Sequence, residues 1–319
     1  MISTQQVNRV AAIESATVDS LLAVFERFRK PSDPEIDRYY ATGRAALGAR
    51  IREYVNDGGG VKFLLPGFPA KSPNSRDKVL GTLPDKAEEV AFNQIGVFLG
   101  EVKKVYTPGA EFHILSDGYV FGDIVGVPDD TVSEYQAAAR KMTEGLPIVW
   151  HDLDEFFPGA SSRDEMRKSL MERYGVTPEE LASAIATCED TRLLLCGMNK
   201  FMMSDIQWDE GMSKTAVRNA AKEVAKRMML RNGAYSNLID ERFEGVVRLS
   251  VHPSTNYGHK FSFRLIPEDD GWCSPWHRSM LVRQDGTYEL VRKIDAERAG
   301  HLLVYQNGRP YSFAERPKV

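Results

Sequence analysis

The chain has 319 residues, an apolar fraction of 42%, a charged fraction of 27% and a net charge of -4. This length accommodates one large α/β domain, the composition excludes a disordered chain, and no apolar run approaches the roughly 20 residues of a spanning helix. The acidic balance without a basic tract argues against nucleic acid, and Cys188, Cys196 and Cys273 match neither a disulfide framework nor a zinc spacing. HExxH, P-loop, GxGxxG and G-x-S-x-G motifs are all absent, which removes the sequence warrant for zinc peptidases, Walker NTPases, dinucleotide enzymes and α/β-hydrolases. The amino-terminal segment has neither a signal core nor a transit-peptide pattern, so a cytoplasmic location is expected.

Residues 14 to 30 carry a helical stripe of Val18, Leu21, Leu22, Phe25 and Phe28, ended by Pro31 and Pro34. A second helix is expected from Glu35 to Val55, with Ile36, Tyr40, Leu47, Ile51 and Tyr54 facing inward, and Gly58-Gly59-Gly60 to stop it. Val61 to Leu65 reads as a buried strand, and Pro84 to Lys104 as a helix with acids at its start and lysines at its end. Glu111 to Leu115 follows as the next strand, completing a βαβ unit of a parallel sheet.

Between that first strand and helix lies a loop containing Lys71, Ser72, Asn74, Arg76 and Lys78. A donor-rich loop at the carboxyl end of a strand suits an anionic small molecule. After the second strand, Ser116-Asp117-Gly118 allows two readings. Asp-Gly between β-rich runs is a common hairpin turn, with Tyr119 to Val127 extended; alternatively, Ser116 and Asp117 stand at a strand tip, where Asp117 serves as a proton acceptor or substrate-amine anchor.

Asp129 to Glu144 is expected to be a helix and Ile148 to His151 a strand. Amphipathic helices dominate from Asp152, with a short strand at Arg192 to Cys196 and a long helix from Ser213 to Arg231. Val246 to Val251 reads as a strand with Lys260 to Ile266 as its antiparallel neighbour. Met280 to Arg283 and Tyr288 to Arg292 form a hairpin about Asp285-Gly286, and Leu302 to Tyr305 a last strand. The expected architecture is a Rossmann-like mixed sheet, parallel in its core with antiparallel C-terminal strands, flanked by helices. It forms a single catalytic domain over residues 1–319, with a helical lobe at about 152 to 244.

His252 and His277 each adjoin a strand in turn-rich segments, with Arg248 and Lys260 near in sequence, which suits acid/base chemistry as well as ordinary packing. Trp276 offers an aromatic wall for a planar substrate or a core contact. The histidines lack a compact ligand spacing, and no metal site is expected.

LPGFPAKSPN with LGTLPD, SDGYVFGDIVGV, VRLSVHPS, and SPWH followed by DGT and GRPY together resemble the isonitrile synthases, the pyoverdine and dityrosine biosynthesis family. The resemblance runs from about Ala41 to Phe313, and CGMNKFMMSDI at Cys196 to Ile206 is similar to a diverged form of another family segment. It implies a lyase-type enzyme without a cofactor. The α-amine of Tyr or Trp would condense with the ketone of ribulose 5-phosphate and become an isonitrile, which an iron- and 2-oxoglutarate-dependent oxygenase would then consume. In that chemistry the Lys71 to Lys78 loop would hold the phosphate, His252, His277 and Asp117 would move protons, Arg248 or Lys260 would take the substrate carboxylate, and Trp276 would face the ring. A non-catalytic phosphosugar or amino-acid binding protein on the same fold is the alternative.

Overall fold

The computed structural model describes residues 4–317. Its first helix, α1 (Thr4–Phe28), buries Val18, Leu21, Leu22, Phe25 and Phe28, the stripe expected from the helical period. The second helix starts later than expected: a π-helical turn at Tyr39–Gly43 precedes α2 (Arg44–Asp57). Asp37 redirects the chain, since its carboxylate accepts the backbone N–H of Ser32 and of Tyr39 and pairs with Arg29 at 2.6 Å. Tyr39 therefore points inward while Ile36 and Tyr40 are exposed, reversing the expectation for those two side chains.

β1 (Val61–Pro66), α3 (Lys86–Val105) and β2 (Ala110–Leu115) form the expected βαβ unit, the strands parallel from Val61 opposite Ala110 to Pro66 opposite Leu115. Asp85 and Glu88 make a capping box that starts α3. Beyond β2 the hairpin reading fails, because Tyr119 to Val127 is not extended: α4 (Gly118–Val125) buries Tyr119, Val120 and Ile124. A short apolar run does not distinguish helix from strand by period alone. Gly118 has a different task from a hairpin glycine. A β-carbon there would stand 2.2 Å from the Pro69 carbonyl oxygen, so only glycine lets the chain pass this close to the β1 loop.

α5 (Asp129–Met142) leads to β3 (Ile148–His151), parallel to β2. Helices α6 (Leu153–Phe156), α7 (Arg163–Tyr174), α8 (Pro178–Thr187), α9 (Glu189–Asp205) and α10 (Lys214–Arg242) follow. Arg192 to Cys196 is thus helical rather than a strand. α8, α9 and α10 enclose a small core of their own around Leu195, Met202, Ala221, Ala225 and Met229.

α10 returns the chain to the free side of β1, where β4 (Val247–Ser250) pairs parallel, and β5 (Phe261–Ser262) then pairs parallel to β4, not antiparallel. Buried Asn256 organises that connection, accepting the Ser262 N–H at 2.7 Å and donating to the Ser254 carbonyl at 3.0 Å. The sheet order is β3-β2-β1-β4-β5, so the direction of winding reverses between β1 and β4. α1 and α3 cover one face, where Phe63 packs on Phe25 and Phe98; α10 covers the other, where Arg248 bonds Asp240. A crevice at the carboxyl ends of the strands is the expected ligand position in such a sheet.

β6 (Ser279–Val282), β7 (Tyr288–Val291), β8 (Leu302–Gln306) and β9 (Arg309–Ala314) build a second sheet of order β7-β6-β9-β8, with α11 (Lys293–Arg298) between β7 and β8. The β6–β7 hairpin about Asp285-Gly286 forms as expected. The fold is α/β with a parallel core, and the antiparallel pairs occupy this separate sheet instead of the edge of the first. Among the described residues no helix is long and apolar enough to cross a membrane.

Candidate functional site

The loop after β1 is not an open anion cradle. Lys71 is buried, and its ammonium meets Asp85 at 2.9 Å, Glu88 at 2.7 Å and the Pro275 carbonyl at 3.2 Å, which occupies all three of its N–H donors. Burial works against the Lys71 charge, but Asp85 and Glu88 outweigh it and raise the pKa. Asp85 is itself pushed up to about 7 by burial, since one cation faces two carboxylates. Lys71 therefore pins the loop to the start of α3 and leaves no donor for a phosphate.

Its companions are committed as well. Ser72 donates to Asp205 at 2.8 Å, Asn74 donates to the Ser204 carbonyl at 3.0 Å, and Arg76 reaches Glu210 at 3.3 Å on the surface. Ser116, fully buried, donates to the Phe68 carbonyl at 2.9 Å and accepts from Gln136 at 2.6 Å. Trp276 is 4% exposed and wedged against Phe68, with ring centroids 4.8 Å apart, so its role is the core contact. In this structure, then, the polar groups of Lys71, Ser72, Asn74 and Ser116 are each paired within the protein, and Trp276 is packed in the core.

Two groupings remain at the carboxyl end of the parallel sheet. In the first, the last residue of α9, Asp205, is buried and receives Lys78 at 2.8 Å as well as Ser72, and His277 Nε2 stands 3.6 Å from its other oxygen. Burial opposes the Asp205 charge; His277 and Lys78 overcome it and hold the carboxyl below its usual range. His277 sits in the short 3-10 turn Pro275–His277, with Nδ1 2.7 Å from the Ser274 hydroxyl. Burial drives its pKa down to about 4, so the imidazole is neutral at pH 7 and Lys78 is the counter-charge of Asp205.

Burial also lowers the Lys78 pKa, with Asp205 opposing that shift and Arg278 adding to it. The Phe201 ring, 36% exposed, lies over both side chains, 5.0 Å from the Lys78 ammonium and edge-on to His277 at 4.9 Å. His252 joins from the loop after β4. It stacks on Trp272, bonds the Trp272 carbonyl through Nδ1 at 3.0 Å, and has its pKa lowered by burial, with Lys30 and Lys260 adding to the effect. His252 and His277 are only partly exposed and lie within electrostatic reach of each other.

The second grouping centres on Asp117, at the tip of β2. One of its carboxyl oxygens is buried without a hydrogen-bond partner, and burial pushes its pKa up to about 7. Buried Tyr235, which donates to the Leu115 carbonyl at 3.1 Å, is raised by burial and by Asp117 and lowered by Arg248. Arg248 is bonded to Asp240 at 2.9 Å and to Ser236 at 3.2 Å and lines a cavity of about 330 Å³ with Arg50, His259 and Phe261, towards the amino end of β4. Lys260 is within electrostatic reach of both Arg248 and His252. An arc of titratable groups thus runs from Asp117 past Tyr235, Arg248, Lys260 and His252 to His277, Asp205 and Lys78.

Sequence reasoning missed Asp205, Phe201, Tyr235, Ser274 and Arg278. Asp205 carried a readable signal: a carboxylate in the last turn of a helix opposes the macrodipole and needs cations nearby. Arg278 is half-buried, within electrostatic reach of Lys78, His277 and Asp295, and donates to the His277 carbonyl at 3.1 Å. Among the described residues no group of three or more His, Cys, Asp or Glu side chains is arranged to hold a metal ion.

A family model described as Pyoverdine/dityrosine biosynthesis protein matches residues 51–304. The chain is 35% identical to L-tryptophan isonitrile synthase AmbI2 of Fischerella ambigua, over 83% of this chain and 81% of that one. It is 32% identical to an L-tyrosine isonitrile synthase of Pseudomonas aeruginosa, over 82% and 81%. Isocyanide synthase xanB of Aspergillus fumigatus is 34% identical over 96% of this chain, which spans only 43% of xanB. The crystal structure of the PvcA protein from Pseudomonas aeruginosa superposes with a TM-score of 0.87 at 29% identity, covering 93% of this chain and 99% of that one.

Proposed function

Since the chain belongs to the pyoverdine/dityrosine biosynthesis family, we propose that it is an isonitrile synthase, joining the α-amine of an aromatic amino acid, Tyr or Trp, to ribulose 5-phosphate. The observation that carries this reading is the set of titratable groups Asp117, His252, His277, Asp205 and Lys78, whose pKa values are shifted by burial and by one another. Imine formation, proton abstraction and carbon–carbon cleavage all require acids and bases that exchange protons near neutral pH. Asp117, poised at about 7, is of that kind, and His252 and His277, both lowered by burial, stand as unprotonated imidazoles.

The phosphate partner is reassigned with the loop. Lys71 is saturated, whereas Arg278 has no carboxylate at bonding distance among the described residues and presents a guanidinium beside Lys78 and His277. Arg278 therefore takes the phosphate. Lys260, exposed at the rim near His252, takes the amino-acid carboxylate, since Arg248 is already bonded to Asp240. The product would pass to an oxygenase that modifies the isonitrile.

Incubation of the purified protein with Tyr or Trp and ribulose 5-phosphate, followed by mass spectrometry of the isonitrile trapped as its tetrazine adduct, tests the proposal. Isonitrile formation that depends on both substrates is the expected result. Its absence with both amino acids removes the proposal in favour of a binding protein on the same fold.

A further inference from the structure

We propose that Lys78 is a catalytic residue that takes the sugar ketone as a covalent imine before the amino acid attacks, an inference that rests on the isonitrile-synthase reading. The geometry around its Nζ carries the argument. Lys71, the other lysine of the loop, is met by Asp85, Glu88 and the Pro275 carbonyl, whereas among the described residues Lys78 has a single side-chain acceptor, Asp205 at 2.8 Å. Asp205 is anchored from behind by Ser72, so the lysine is held against a fixed carboxylate. His277 stands on the far oxygen of that carboxylate, 3.6 Å away, with no proton on its basic site at neutral pH.

An aromatic ring stands over Nζ, its centroid 5.0 Å away. Phe201 lies over the ammonium and leans edge-on against His277, and it is itself exposed on the outer side of α9. Rotation of that ring opens Lys78, Asp205 and His277 together to a small ligand, while Arg278 stands beside them for its phosphate. A buried lysine with one acceptor, a neighbouring base and an aromatic cover fits an amine that must lose a proton to react.

The step balances without an added reagent. The Lys78 ammonium passes one proton by way of the Asp205 carboxylate to the sugar carbonyl oxygen, and the free amine adds to C2. The nitrogen then passes a second proton to the same oxygen, which leaves as water and gives the protonated imine. The substrate α-amine adds to the same carbon, Lys78 leaves with its electron pair, and the amino acid now holds the imine while Lys78 is regenerated.

The test is reductive trapping of the full chain with ribulose 5-phosphate and borohydride, without amino acid, followed by peptide mass spectrometry. The expected adduct is on Lys78, with the mass of the sugar phosphate plus two hydrogens less one water. Lys78→Arg keeps a cation for Asp205 yet forms no imine; it should lose the adduct and on the order of 10³-fold in turnover. Phe201→Ala should speed trapping, a readout that a purely structural lysine would not give. Absence of a wild-type adduct at saturating sugar phosphate, or an adduct only on other lysines, overturns the proposal whether or not isonitrile forms. An adduct on Lys78 without any isonitrile overturns the parent reading and keeps the lysine chemistry.

Discussion

The Trp276 indole lies directly over Gly67, where a β-carbon would stand 2.7 Å from the ring atom Cη2. Gly67 is the first residue after β1, and Trp276 carries His277 in the same short turn, so this contact sets how deeply the histidine segment seats on the sheet. Gly67→Ala should push the ring outward, costing about 1–3 kcal/mol, and lower turnover by displacing His277. Trp276→Phe in the same chain should restore part of both by making room. Thermal melts and turnover of the single and double variants check this; equal defects in both would separate the contact from the site.

Lys71→Met leaves Asp85 and Glu88 buried against each other without a cation. Removing one partner of a buried ion pair costs about 3–5 kcal/mol. The expected outcome is a large drop in the urea midpoint, with the Michaelis constant for the sugar phosphate little changed in the fraction that folds. Adding Asp85→Asn should recover stability. A phosphate-binding lysine would give the opposite pattern, weak substrate binding in a stable protein.

The contrast between Lys71 and Lys78 explains what was legible in the sequence. The βαβ unit was readable because β1, α3 and β2 are each bounded by strong local signals: the glycine run, the Asp85–Glu88 capping box and Pro108-Gly109. The arrangement of the loop residues was not, because Lys71 is neutralised by Asp85 and Glu88 at the start of the very next helix, while Lys78 is met by Asp205 from α9, 127 residues away. Composition reveals that cations are present; only the fold reveals which ones keep a free side. The same applies to Asp-Gly at 117–118, where close approach to Pro69, a long-range fact, overrode the local turn preference. His252 and His277 lie within electrostatic reach of each other, whereas Asp117 stands in a separate grouping with Tyr235.

Arg278 should be read out in substrate binding. Arg278→Gln removes the guanidinium but keeps a polar, shorter side chain, and should raise the Michaelis constant for ribulose 5-phosphate by about 10–100-fold, the scale of one charge-assisted contact. The constant for the amino acid should barely move. Steady-state kinetics with each substrate varied in turn checks the split, and an equal rise in both would take the phosphate role away from Arg278.

Asp117 and His277 give stability and activity opposite pH dependences. Folded Asp117 keeps its proton up to about 7, against an ordinary 3.8, because burial disfavours its charge. Its stabilising contribution is therefore complete below about 4 and is lost as the pH rises through 7. His277, lowered from 6.5 to about 4, runs the other way: its contribution is complete above 6.5 and is lost as the pH falls towards 4. Asp117→Asn cannot ionise, so its melting temperature should exceed that of the wild type most above pH 7, and the gap should close by about pH 4. If Asp117 is also the proton acceptor, the same substitution should abolish the rise in turnover across pH 7 and leave a flat residual rate. A melting difference constant from pH 4 to 8 would mean that Asp117 is already ionised in the fold, and with it the case for Asp117 as a base tuned by burial would fall.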